Sequence, residues 1–249
     1  MSATQSDTAR LSRHRSVPLV SEHRLPALLA VIAGMVDLTG FLTLGNIFTA
    51  HITGNLVVLA AVIVRGGPVN PAQVLAIPTF VLTVAGAWLI APTLAARTGV
   101  LTRRLLVAQF LLLAAVFVFA VVAHPSANQH GLAAGVAVLI AASAMACQNA
   151  LLHMTVAGAP STAVMTGNLV GGVLGLLDAA SPDAATRAGA SARIERFAPL
   201  LAGFCLGCLL AAAAVSLVQD WAWALPAILA GLAVCGAMAP PGRHLGSIG

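Results

Sequence analysis

The sequence predicts an all-α, polytopic transmembrane helix bundle with an internal two-fold repeat. Three observations carry that prediction. The 249 residues are 59% hydrophobic and only 8% charged, with a mean hydropathy of +0.98. A soluble domain carries about 25% charged residues, so this chain cannot cover a water-facing surface. The apolar residues also fall into runs separated by short polar or arginine-bearing stretches. Finally, the segment Thr49-Ala50-His51-Ile52-Thr53-Gly54-Asn55-Leu56-Val57 recurs as Thr162-Ala163-Val164-Met165-Thr166-Gly167-Asn168-Leu169-Val170, with seven of nine positions identical at an offset of 113. A polar, glycine-bearing break repeated in both halves is a pattern of membrane folds built from internal repeats.

Taken in order, residues 1–24 form a polar basic tail without the apolar core of a signal peptide. The first apolar run, 25–44, is therefore expected to insert and stay. Segment 52–64 is short and follows the first break; 72–96 and 105–123 complete a first repeat, 25–123. Segments 132–156, 163–177 (again short), 197–218 and 221–238 form a second repeat, 131–239, before a short tail at 240–249. The two short segments fall below the 17 to 25 residues of a full span. That length fits re-entrant or discontinuous helices, whose irregular backbone is buried in protein.

Charge chooses between two topologies. The arginines cluster at Arg10, Arg13, Arg15 and Arg24, at Arg97, Arg103 and Arg104, and at Arg187, Arg193 and Arg196. If six helices cross and the short segments return, all three clusters and both termini face the cytoplasm, and only Arg65 lies outside, as the positive-inside rule prefers. The repeats are then inverted. If all eight segments cross, the Arg97–Arg104 group lies outside and the repeats are parallel. The six-span arrangement is expected, in a bacterial plasma (inner) membrane. The net charge of +5 is dispersed among these clusters. It does not form the continuous basic face that nucleic-acid binding needs.

Asp37 is the candidate functional residue that stands out most. A carboxylate about two-thirds along a span costs at least about 2.5–3.5 kcal/mol, so it faces the protein interior or a wet cavity. It is read either as a protonatable or cation-binding group, or as a structural carboxyl bonded to Thr53, Asn55 or a free amide at the helix break. Gln148 and Asn149 occupy the matching region of the second half, so one copy carries a carboxyl and the other carries amides. Within the motifs, Thr53, Gly54, Asn55, Thr166, Gly167 and Asn168 can cradle a solute, because glycine permits close approach and Asn and Thr satisfy freed backbone groups. They can equally cap and pack the helices. His51 has no counterpart in the second copy and could relay protons. Gly167, Gly171 and Gly175 form a small-residue face for helix packing. Trp88, Trp221 and Trp223 read as interfacial anchors.

The four cysteines, including the Cys205–Cys208 pair, lie within apolar runs with no His or Asp ligands beside them. They read as small core residues, and no metal or cofactor is expected. An enzyme is not expected either: no GxSxG, HExxH, P-loop or paired intramembrane carboxylate is present.

The stretches Gly34-Met35-Val36-Asp37, Phe41-Leu42-Thr43-Leu44-Gly45, Phe48, His51-Ile52-Thr53-Gly54-Asn55 and Gln148-Asn149-Ala150 resemble the YoaK-like family of bacterial membrane proteins (domain of unknown function 1275). The resemblance runs from about residue 25 to 238. Ala146-Cys147 departs from it where the family tends to have glycine. What it implies is an integral inner-membrane protein, with transport assigned only by analogy. The reading is a small secondary transporter of an unidentified solute or ion, surrounded by lipid bilayer, with a homo-oligomer compatible. Its alternative is a non-transporting scaffold or accessory subunit.

Overall fold

The structure, a computed structural model, describes residues 24–91, 98–156 and 158–238. Within them the fold is all helical. The helices are α1 (Arg24–Thr43), α2 (Gly54–Val64), α3 (Pro71–Ile90), α4 (Thr98–Ala123), α5 (Leu132–Thr155), α6 (Met165–Ala179), α7 (Ala184–Val218) and α8 (Ala224–Met238), with 3-10 turns at Pro125–Asn128 and Gln219–Trp223. Five stretches are long and apolar enough to cross a membrane, and the last, Ala184–Met238, contains both α7 and α8.

Tight contacts fix the helix directions. An added Cβ on Gly203 would meet Ala27 and Val31, and one on Gly207 would meet Val31 and Met35. So α1 and α7 run the same way. Ala72 faces Gly135 and Thr83 bonds Ser143, so α3 and α5 also run the same way. Phe110 meets Gly231 and Phe117 meets Trp221, so α4 and α8 are antiparallel. The end of α1 and the starts of α3 and α5 lie together, because Gln129 bonds Leu42 and His130 approaches Asn70.

The bundle thus has two ends. At the linker face lies the connection 124–131 between the repeats. At the arginine face, the exposed Arg103, Arg104, Arg187, Arg193 and Arg196 gather near the starts of α4 and α7. Helices α1, α3, α4, α5 and α7 run between these faces, and α8 does so together with the 3-10 turn that precedes it, over 219–238. Helix α2 begins beside Asp37, partway along α1, and returns to the linker face before α3. Helix α6 begins beside the α5 residues Gln148 and Asn149 and returns to the arginine face, where Asp178 pairs with Arg193 at 3.0 Å. At about 16 and 22 Å, neither short helix spans a hydrocarbon core of about 30 Å. Each repeat starts from the opposite face, so the first helix of each packs on the third helix of the other: α1 on α7, α5 on α3.

Three expectations are corrected. Arg187–Arg196 is not a loop: α7 starts at Ala184, where Asp183 caps it by accepting from the amides of Ala185 and Thr186. Likewise Arg103 and Arg104 lie within α4, which starts before the expected 105. Trp223 is not an anchor; it is fully buried in the core, whereas Trp88 and Trp221 are exposed. The glycine face of α6 holds at Gly171 and Gly175, which meet Phe197 and Ile194 of α7, and is widened by Gly172, which meets Leu201; only Gly167 falls outside it, meeting its neighbour Val164. The expected tails 1–24 and 240–249 lie outside the described residues except for Arg24, which opens α1.

Candidate functional site

Both breaks are built on one plan. A left-handed glycine ends the preceding turn: Gly45 has φ +83 and Gly158 has φ +71. These positions are again 113 apart. Four residues on, Thr49 and Thr162 are fully buried. Asn55 and Asn168 then fold back to the chain seven residues earlier, Asn55 Nδ2 donating to Phe48 O at 2.7 Å and Asn168 Nδ2 to Ser161 O at 2.9 Å. The motif asparagine is thus a lock that satisfies a carbonyl freed at the break.

The anchor beneath each break differs. In the first, Asp37 reaches from α1 to three consecutive amides. Its Oδ1 accepts from Thr49 N at 2.8 Å and Ala50 N at 2.6 Å, and His51 N lies 3.2 Å from Oδ2. Successive amides of this kind form an anion-binding nest. His51 Nδ1 completes it, 2.5 Å from Oδ2. Charge-assisted hydrogen bonds contribute about 1.5–3 kcal/mol each, enough together to offset the cost of holding a carboxylate in a span. With the carboxylate ionised, Nδ1 is the donor of that pair. The far nitrogen, Nε2, is buried without a partner, as is Thr49 Oγ1. The imidazole stands edge-on to Phe204 of α7, with centroids 5.1 Å apart.

Asn55 adds a second bond here, accepting from Phe48 N at 2.8 Å. Gly54 is required by close approach: a Cβ would sit 2.9 Å from the Phe48 ring.

In the second break the anchor is neutral. Gln148 Nε2 donates to Thr162 Oγ1 and, across the bundle, to Leu29 O of α1, each at 2.9 Å. Its Oε1 accepts from Gln109 Nε2 at 2.7 Å. Asn149 Oδ1 accepts from Ser161 Oγ at 3.3 Å. Gln148 and Gln109 are fully buried, and Gln109 Oε1 has no partner.

The ten candidate residues therefore divide. Asp37 and His51 touch, and Asn55 locks the same loop. Gln148, Asn149 and Asn168 hold the other. Thr53, Thr166 and Gly167 are exposed, and Thr53 forms no side-chain cap bond. Asp37 takes backbone amides rather than the side chains of Thr53 or Asn55. Among the described residues no hydrogen bond runs directly from one break to the other; α1 joins them, through Asp37 and Leu29, about 12 Å apart along the helix. Gln109 belongs to the cluster although it lies in neither motif. An inventory of polar residues in every span, rather than around the repeats, would have found it.

The described residues hold no cluster of three or more His, Cys, Asp or Glu side chains able to bind a metal ion. The four cysteines are free thiols; Cys147 is buried, whereas Cys205 and Cys235 are exposed, so the expectation that all four are core residues is not met.

No solved structure matches the chain. The chain is similar to the UPF0700 transmembrane protein YoaK of Bacillus subtilis (strain 168), 51% identical over 39 residues. That stretch is 16% of this chain and 17% of the relative, so it spans well under a fifth of either. A family model described as a protein of unknown function (DUF1275) matches residues 25–236, covering both repeats and both breaks. On that match, the chain is a multi-pass membrane protein belonging to the DUF1275 family.

Proposed function

We propose that the protein is a small ion-coupled transporter of the bacterial inner membrane, in which Asp37 and His51 form the protonatable element. One observation carries this reading: a carboxylate and an imidazole are bound to each other at a helix break inside an apolar bundle, with the second imidazole nitrogen buried and unpartnered. A proton gained or lost there alters the bonds that hold residues 49–51, and so the position of the re-entrant helix α2. The opposed breaks, with Thr53, Gly54, Asn55, Thr166, Gly167, Asn168, Gln148 and Asn149, frame the path of a small solute or ion. The arginine face is the cytoplasmic one by the positive-inside rule, which puts both termini in the cytoplasm and Arg65 outside.

A second reading has its own support. Both oxygens of Asp37 are already occupied by this chain's own amides and imidazole. A carboxylate used in this way is a staple, and the protein is then a scaffold or accessory subunit. Proteoliposomes holding a pH-sensitive dye separate the readings. Under the transport reading, members of a panel of amino acids, sugars and organic cations drive proton movement in the wild type. The movement is lost in Asp37→Asn and His51→Gln proteins that still purify and melt normally. Equal proton movement in the variants rejects the coupling role. Loss of folding in both, with no solute-driven flux in the wild type, favours the staple.

A further inference from the structure

The linker between the repeats, residues 124–131, reaches every other connection on its face. Ser126 Oγ donates to Asp220 Oδ2 at 2.6 Å. Ser126 N lies 3.4 Å from Oδ1, and His124 Nδ1 lies 3.7 Å from Oδ2. Those contacts tie the linker to the turn between α7 and α8. Gln129 Nε2 donates to Leu42 O at 2.9 Å, and Gln129 O crowds Gly45, where a Cβ would come within 2.8 Å of it. That ties the linker to the start of the first break. Asn70 Nδ2 lies 3.5 Å from His130 Nδ1, beside the cap of α3.

Two residues flanking the Asp220 contact hold unfavourable backbone angles. His124 has φ 45 and ψ 58; Gln219 has φ 47 and ψ −118. Neither is glycine. Such angles cost about 1–3 kcal/mol each and persist only where the surroundings over-determine them. One carboxylate secures both turns: Asp220 follows Gln219 directly and bonds Ser126, two residues after His124. Its side chain is buried, at 4% exposure, so a bond lost there leaves a buried polar group unpaired.

We infer that 124–131 is a strap closing the linker face, with Asp220 as its latch. Releasing Ser126 from Asp220 lets two strained turns relax and frees one end of the strap. Through Gln129 the release loosens residues 42–53, the loop that Asp37 holds from below. The device is independent of what, if anything, the protein moves.

Hydrogen–deuterium exchange on the full chain in lipid nanodiscs tests it. Asp220→Ala and Ser126→Ala should speed exchange severalfold in 124–131, in 219–223 and in 42–53, and leave 158–164 at the arginine face unchanged. Ser126→Thr, which keeps the hydroxyl, should restore the wild-type rates. Gln129→Ala should speed 42–53 alone. The strap is refuted if Ser126→Ala speeds 219–223 but leaves 42–53 at the wild-type rate, or if exchange rises equally at both faces. Should Asp220→Ala fail to fold, the serine and glutamine variants decide the matter.

Discussion

The two breaks share a turn glycine, a buried threonine and a locking asparagine, yet they rest on different anchors. The first loop is gripped by a carboxylate through consecutive amides. The second is held by neutral amides through a hydroxyl. The lesson is that a duplicated backbone device tolerates a change of chemistry beneath it, provided each freed polar group still finds a partner. The charged anchor concentrates its bonds on one side chain, whereas the neutral anchor spreads them over Gln109, Gln148, Asn149 and Ser161. A charged anchor is also the one that protonation can loosen.

Removing each anchor should expose that difference most strongly. Asp37→Leu strands three amides and an imidazole, at about 1–3 kcal/mol for each buried group left unpaired. It should cost several kcal/mol and in most conditions prevent folding. Gln148→Leu leaves Thr162 Oγ1 and Gln109 Nε2 unpaired, whereas Leu29 O keeps its bond within α1 and the Asn149–Ser161 bond survives, so about 2–4 kcal/mol is expected from the same rule. Melting in detergent would check the order, and a Gln148→Leu protein less stable than Asp37→Leu would break the comparison.

Helix packing sharpens it next. The α1–α7 pair depends on glycines: a Cβ on Gly34 would come within 3.1 Å of Cys208 N, and one on Gly203 within 2.8 Å of Ala27 O. The related α3–α5 pair is looser, with Gly135 leaving 3.6 Å to the Ala72 Cβ. Gly203→Ala should therefore destabilise by about 1–3 kcal/mol, as overpacking does. Gly135→Ala should be neutral or slightly stabilising, by up to about 1 kcal/mol through helix propensity. Equal losses in thermal midpoint would contradict the asymmetry.

The locks should differ less. Asn55 bonds Phe48 through both N–H and C=O, whereas Asn168 bonds one backbone carbonyl and makes a longer contact with Met165 sulfur. Asn55→Ala should cost about 2–3 kcal/mol and Asn168→Ala about 1–2 kcal/mol, counted as buried groups left unpaired. Denaturant titration would resolve the order.

The smallest effect is expected at Asp183. Its carboxyl is held below the usual range by the Thr186 hydroxyl, and further by the amides of Thr186 and Ala185. A depressed folded-state value stabilises above the unfolded value, about 3.9, and that contribution disappears as pH falls through the folded value. Asp183→Ala should lower the melting midpoint slightly at neutral pH and match the wild type in strong acid. A difference that persists at low pH would assign the effect to something other than the ionised cap.

Much of the architecture was legible in the sequence because it rests on side-chain identity. The apolar runs, the offset of 113 and the isolated Asp37 all register in residue types. The partners of Asp37 did not, because they are amides that every residue but proline possesses. The link from Gln129 to Leu42 was hidden for the same reason. The start of α7 is hidden because an arginine cluster fits a loop and a capped, exposed helix equally well. The matching turn glycines Gly45 and Gly158 stand at the same offset, but the differing residues between them and each motif mask the match.

The central claim is that each short helix returns to the face from which its loop entered, so that six helices cross and the repeats are inverted. The direct measurement is labelling of single cysteines in an otherwise cysteine-free chain, in intact cells, with a membrane-impermeant maleimide. Pro68→Cys lies just after α2, and Gly189→Cys in the exposed first turns of α7, with nothing within 4 Å of an added Cβ. The inverted arrangement requires one of the two positions to label and the other to be protected until the cells are opened. Cysteines that label together, or are protected together, would mean that α6 crosses the bilayer instead of returning, and would contradict it.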